Sequence, residues 1–573
     1  MDNLSQVHYT YFGSFVKAMK ILLIQPPIMD FYRTPIRTQP IGLAYLAATL
    51  QSDGHEVEIL DCQTEKRKSI PIPPELSYLR DFYPFNDHSP FKLYTGYYHF
   101  GMGWDEIRLR IGDSKADLFG ISSSFTPYHQ EAIEIARIIK EWDRRKVVVM
   151  GGAHISCDPE GVLKNPLVDY IVLGEGETRF PLLLEQLEKG EKRGIEEIDG
   201  IGYRTDGEIH INPLQDFIRD LDSLPHPARE LLDLDRYQMR RKRSTMIITS
   251  RGCPHGCAYC SAPLVMGTSF RRRSPEAILQ EMMECRIRYD IRIFDIEDDN
   301  FTFDKERAKR LMNLIIEATG EGIPLTASRL ELTAMNGVSF ASMDGELLRL
   351  MKRAGFRTIN LSFVSTDLST KERMRRPKAI TSFDEIFEEA VEAGLHVIAY
   401  GILGMPGQTV EEMVDTFIYL MGKRVLIGPS VYYPTPGTRL FERCQKEGIL
   451  PPHPAQWRSS ALPIETMDFG RLDIITLLRL ARTINFIKGK MDIGELDEGM
   501  TLQELFQFLQ EKKCDRDDST TWIGLLLLLL KERSFFSLRK DSLGRLSVLK
   551  EKSSKKVLDY FFERAWKCPV VKP

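Results

Sequence analysis

The stretch TSRGCPHGCAYC, from Thr249 to Cys260, sets Cys253, Cys257 and Cys260 in a Cys-x-x-x-Cys-x-x-Cys pattern. An apolar segment at 245–249 precedes it and reads as a strand, so the three thiols fall on a loop at a strand's carboxyl end. Three thiolates on one tight loop can each hold one iron of a cubic 4Fe-4S cluster, leaving the fourth iron open to another ligand. Gly252 and Gly256 let the backbone curl around such a group. Zinc is the competing occupant. A closed zinc site wants four ligands, and His255 or the distant Cys285 would have to be recruited, the latter from an amphipathic helical pattern.

Outward from this loop the chain alternates strand and helix. Candidate strands at 245–249, 291–296, 325–327, 358–363, 397–402 and 426–432 are mostly separated by helical patterns, such as 275–288, 305–318, 346–354, 383–393 and 410–421. Six units occupy about 190 residues, whereas a closed eightfold barrel needs about 250, so a partial barrel of six units is expected. Upstream, apolar runs at 21–24, 57–60, 118–121, 147–150 and 170–173, with helical patterns at 41–50 and 131–142, argue a doubly wound, largely parallel sheet. The Pro- and aromatic-rich stretch 61–104 reads as a capping or functional insertion. Alternation around Asp206-Gly207 signals a hairpin. The expected organisation is an α/β chain: a Rossmann-like domain at 18–190, a connector at 191–242, the partial barrel at 243–445 and a mostly helical region at 446–573.

Composition narrows the function. Lys and Arg number 77 and Asp and Glu 81, a formal charge of −4, so nucleic acid is not an expected partner. The C-terminal stretch 531–573 is locally basic, with twelve Lys or Arg against five Asp or Glu, and reads first as a solvated helical face. Nine scattered Cys suit the reducing cytoplasm rather than a disulfide framework. The most apolar run, 523–530, is too short to span a membrane.

Cys253, Cys257, Tyr259 and Cys260 resemble the signature of radical S-adenosylmethionine enzymes, in which an aromatic residue commonly precedes the last Cys. The resemblance implies a 4Fe-4S cluster whose open iron chelates S-adenosylmethionine, a 5′-deoxyadenosyl radical, and an electron donor such as flavodoxin or ferredoxin. It assigns the co-substrate to the barrel's strand ends. IFDIEDDNFTFD supplies Asp295, Glu297, Asp298, Asp299 and Asn300, of which Glu297 and Asn300 are expected near the methionine ammonium. Arg329 in ASRLEL is expected to hold its carboxylate, and Gly404 and Pro406 in GILGMPGQT to lie beside adenine. The family's Gly-x-Glu-Ser after the fourth strand is replaced by Ser362, Val364 and Ser365, with Ser365 the expected contact.

The N-terminal domain resembles the cobalamin-binding domain, with a serine-bearing turn, Ser122 to Ser124, then Gly151-Gly152. Ser124 and Gly151 are 27 residues apart, one βα unit, and 39–61 looks like the first helix and second strand of cobalamin-binding relatives. Mutase-type domains carry a His-bearing ligand loop after the first strand. Here that strand is followed by Gln25-Pro26-Pro27, and His154, after Gly151-Gly152, is the nearest substitute. The expectation is a methyltransferase acting on an unactivated carbon of a small molecule. A cyclase or rearrangement enzyme with the same cofactors, and a non-catalytic sensor, are the alternatives.

Overall fold

The computed structural model describes residues 18–32, 38–63, 67–190, 192–319, 330–377, 382–513 and 519–571. Strands Lys20–Gln25, Glu56–Asp61, Leu118–Ser122, Val147–Gly151 and Tyr170–Val172 pair in parallel in the spatial order second, first, third, fourth, fifth. Their apolar runs are continuous because helices cover both faces. Ile21 and Leu23 share a core with Leu43 and Ala47 of helix Ile41–Ser52, while Leu22 and Ile24 face Ile135 and Ile139 of helix His129–Trp142. The order reverses between the strands at Lys20 and Leu118, and in open sheets ligands bind at that switch point.

The expected hairpin is present as Ile201–Thr205 and Glu208–Ile211, and it pairs antiparallel with Tyr170–Val172. The sheet thus runs past residue 190 into the segment read as a connector. The insertion is a small sheet of its own: Tyr97–Phe100 pairs with Ile28–Asp30 and Lys68–Ile70.

The barrel strands are Lys242–Ile247, Ile293–Ile296, Glu331–Thr333, Thr358–Val364, His396–Leu403 and Val425–Val431. They form two parallel sheets joined by bridges from Leu332 to Phe356 and from Val338 to Leu361. The strand expected at 325–327 lies outside the described residues; the strand at that place is Glu331–Thr333.

The C-terminal region is mostly helical and adds one hairpin, Phe536–Lys540 with Leu546–Lys550. Its long helix, Arg471–Asp492, closes the barrel's last edge. Asn485 bonds both backbone groups of Ile427, donating to the carbonyl at 2.8 Å and accepting from the N–H at 2.9 Å. This satisfies groups that an open edge strand would expose. Arg458 and Ser460 reach the other way, to buried Asp30 beside the insertion. Among the described residues no helix is long and apolar enough to cross a membrane.

Replacing Asn485 by Leu should cost about 1–3 kcal/mol for each backbone group left unpaired. Urea unfolding should show that loss, and an unchanged midpoint would mean that the edge is satisfied in another way.

Candidate functional site

Asp298 builds the cysteine loop's entrance. Its buried carboxylate accepts the backbone N–H groups of Thr249 (2.6 Å) and Ser250 (3.0 Å) and both of their hydroxyls. Asp299 then accepts the Gly252 N–H at 2.9 Å. Gly252 has φ +81°, and a Cβ there would stand 2.3 Å from the Ser269 carbonyl oxygen, so the turn requires glycine. The acidic run is therefore divided by function: Asp298 and Asp299 hold backbone, while alternation along the strand points Asp295 and Glu297 to the barrel's inner face.

Cys253, Cys257 and Cys260 are unpaired and half-buried on this loop. Burial pushes the Cys260 thiol up to about 11 and raises Cys253 as well. Bound iron would supply the positive charge that holds these groups as thiolates. Among the described residues no three His, Cys, Asp or Glu side chains converge on one metal ion; a cubic cluster asks for no such convergence, since each thiolate takes a different iron. Asn300 adds a second sign of fit. Its Nδ2 stands 3.9 Å from Cys253 Sγ, and its buried Oδ1 has no partner, an acceptor suited to an ammonium group.

Arg376 escaped the sequence reading. Its guanidinium lies 3.8 Å from Cys257 Sγ and 3.4 Å from the Tyr259 hydroxyl, and donates to the Ser362 carbonyl at 3.1 Å. The signal was the run KERMRRP at 371–377, which follows the fourth barrel strand. Arg329 lies outside the described residues. Ser365 is buried against Thr416 and accepts the Asp367 N–H. The strand's end is irregular: Val364 has φ +72°, a left-handed backbone that is costly for a β-branched residue. The Gly404–Pro406 turn is fixed by Gln408, which accepts the Met405 N–H and donates to the Ile402 carbonyl.

A cavity of about 350 Å³ lies at the sheet's switch point. One wall is Pro26, Pro27, Ser122, Ser124, Gly151 and Gly152; the other is Met246, Arg251 and Glu297 of the barrel. Gly152, at φ +112°, comes so close to Ser123 that a Cβ would lie 2.8 Å from its carbonyl, whereas a Cβ at Gly151 would make ordinary contact with the Val172 carbonyl oxygen at 3.7 Å. Two buried amides are half used. Gln39 Oε1 accepts from Thr245 Oγ1 and the Met246 N–H, which leaves Nε2 without a partner; Gln63 Nε2 donates to the Pro26 carbonyl, which leaves Oε1 unpaired. One spare donor and one spare acceptor on the wall fit a ligand rich in primary amides, as a corrin is. His154 lies behind the wall, 3.1 Å from Thr126 Oγ1 and packed on His129; burial lowers it to about 4 and keeps it neutral.

The two domains are joined by buried charges. Arg251 reaches Glu175 (2.8 Å) and Glu177 (2.6 Å), and Arg271 reaches Glu175 at 2.8 Å. At the barrel mouth, burial and the neighbouring Asp295 raise Glu297 to about 8, and Asn336 bonds its carboxylate.

Residues 247–420 match the radical SAM superfamily and residues 95–184 the B12 binding domain. The chain is a radical S-adenosylmethionine protein with a B12-binding domain, an enzyme class whose cofactors are the 4Fe-4S cluster, S-adenosylmethionine and cobalamin. It is 27% identical over 492 residues to an uncharacterised methyltransferase of Pyrococcus horikoshii, covering 84% of this chain and 96% of the relative. It is 26% identical over 481 residues to the cytidylyl-2-hydroxyethylphosphonate methyltransferase of Streptomyces wedmorensis, covering 77% of this chain and 84% of that one. Its fold is similar to that of the radical S-adenosylmethionine methyltransferase TsrM of Kitasatospora setae, solved with cobalamin and a [4Fe-4S] cluster, at TM-score 0.57 and 20% identity over 75% of this chain and 78% of that chain.

Gly152→Ala should weaken cobalamin binding at least about tenfold, about 1.4 kcal/mol, in a spectrophotometric titration with hydroxocobalamin, and leave cluster assembly intact. Equal affinity would place the corrin elsewhere. The Asp295–Glu297 pair keeps a proton in the folded state that the unfolded chain releases from about pH 4.3 upward. Its contribution to stability therefore falls as pH rises from there through about 8. Glu297→Gln should flatten that slope in thermal unfolding between those pH values; an unchanged slope would show that Glu297 is not the proton carrier.

Proposed function

We propose that this protein is a cobalamin-dependent radical S-adenosylmethionine methyltransferase acting on an unactivated carbon of a small molecule. One observation carries the reading: the cavity behind the Ser122–Ser124 and Gly151-Gly152 turns opens onto Met246 and Glu297 at the barrel mouth, the end that also bears the cysteine loop. The names of the two methyltransferase relatives support it. When bound, the cluster with S-adenosylmethionine supplies the 5′-deoxyadenosyl radical, and cobalamin supplies the methyl group.

The chain's own residues bind and orient. Cys253, Cys257 and Cys260 would each hold one iron of the cluster. Asn300 Oδ1 accepts from the methionine ammonium. Arg376, beside Cys257 and Tyr259, is the cation placed to pair the methionine carboxylate, the role the resemblance gave to Arg329. Gly404 and Pro406 keep their place beside adenine on the turn that Gln408 fixes. Glu297 belongs to the barrel's inner face, where it pairs with Asp295 and Asn336, and Ser365 to the wall behind it. Gln39 and Gln63 take amides of the corrin rim. Pro26 and Pro27 would line the cobalamin cavity without offering it an imidazole, and the buried, neutral His154 is engaged by Thr126. A flavodoxin or ferredoxin supplies electrons, and the unpaired thiols suit the reducing cytoplasm such chemistry needs.

The test needs no knowledge of the acceptor. Reconstituted protein with reductant and S-adenosylmethionine carrying a CD₃ group should pass the label to bound cobalamin, as read by mass spectrometry. Formation of 5′-deoxyadenosine without label on cobalamin would replace methyl transfer by a cyclase or rearrangement. Arg376→Ala should weaken S-adenosylmethionine binding by about 2–5 kcal/mol, the range for truncating a buried charge pair. Unchanged affinity by equilibrium dialysis would remove Arg376 from the site.

A further inference from the structure

The outer face of the cysteine loop has features that co-substrate and corrin binding do not use. Pro254 and Gly256 are exposed, so at those points the loop alone separates the three thiols from solvent. His255 packs edge-on against Phe303, with centroids 5.7 Å apart, and Phe303 packs on Phe270 at 5.1 Å. Phe303, in the loop between strand Ile293–Ile296 and helix Lys305–Thr319, is 40% exposed. Arg376 is near enough for its charge to act on His255. The Ala258 N–H donates to the Met374 carbonyl at 3.0 Å, which fastens the basic run 371–377 along the loop's flank. That run carries Lys371, Arg373, Arg375 and Arg376 against Glu372 alone, in a chain whose net charge is −4. Arg375 is exposed there, and Arg272, next to Phe270, keeps 63% of its side chain exposed although it pairs with Asp304 at 3.0 Å.

We propose that this aromatic centre of His255, Phe303 and Phe270, flanked by Arg272 and Arg375, is the docking surface for an acidic flavodoxin-type protein that reduces the cluster. The proposal rests on the reading of the site given above. An apolar, aromatic centre fits the exposed dimethylbenzene edge of a protein-bound flavin, and a basic flank fits the acidic rim around it. Electron-transfer encounters bury little surface and need not be tight. Opposite charges raise the rate of productive encounter more than they raise affinity, and salt weakens them. In the step, one electron leaves the hydroquinone flavin and enters the cluster, which passes from its 2+ to its 1+ state. No bond forms between the proteins.

The experiment compares the native protein, Arg375→Glu and the Arg272→Glu/Arg375→Glu pair. Cluster bleaching is followed by stopped flow with flavodoxin hydroquinone and, separately, with titanium(III) citrate. The affinity of oxidised flavodoxin is measured by fluorescence anisotropy. With flavodoxin, the double variant should lose about tenfold in second-order rate at low salt, the single variant less, and the native rate should fall as salt is added. With titanium(III) citrate all three should agree within about twofold, since a small reductant does not need the rim. Flavodoxin rates and affinity unchanged by charge reversal would overturn the docking surface. Equal losses with both reductants would overturn it too, by showing damage to the cluster loop itself. If native protein reduced by titanium(III) citrate makes no 5′-deoxyadenosine, the reading of the site fails first and the docking proposal with it.

Discussion

The buried pairing of Glu175 and Glu177 with Arg251 and Arg271 is the contact on which the rest of the architecture depends. Glu175 follows Gly174, which lines the switch-point cavity, and Arg251 lies two residues before Cys253. One short chain of charges thus ties the cavity wall to the cysteine loop. All four side chains are at least nine-tenths buried. Removing any partner would leave an uncompensated charge in a low-dielectric junction, which is far costlier than the pair is stabilising. Such a junction specifies one relative placement of the domains. Two reactive centres that must share one substrate need that placement.

A second set of contacts makes the junction a site. Gln39 comes from the segment before the first helix of the N-terminal domain, yet its carbonyl oxygen is held by Thr245 and Met246 of the first barrel strand. The amide that remains is aimed by the barrel although it serves the cavity of the other domain. Arg458, from the C-terminal region, reaches Asp30 and the Met29 and Pro127 carbonyls in the same way. The C-terminal helices and the aromatic insertion therefore brace the N-terminal domain as well as closing the barrel.

The acidic run after the second barrel strand shows how one stretch of sequence serves several tasks. Asp295 and Glu297 alternate inward along a strand. Once the strand ends, Asp298, Asp299 and Asn300 turn successively to the loop's entrance, its first glycine and its first cysteine. As sequence, all five read alike as polar residues near an ammonium.

Local pattern was enough for the cysteine loop, the six βα units, the five parallel strands and the glycine and serine turns. Each rests on period or spacing within a few residues, and such signals survive without a partner. Gly152 and Gly252 were legible for the same reason, since a backbone turn at positive φ has a local cause. Tertiary structure alone decided the rest. Arg376 is brought to Cys257 across 119 residues, and Arg251 to Glu175 across 76. Spacing carries no record of which surface Arg meets which buried thiol or carboxylate. The place of strand Glu331–Thr333 is likewise set by pairing with Ile293–Asp295 and by the bridge from Leu332 to Phe356, and three-residue strands carry too little pattern to locate themselves.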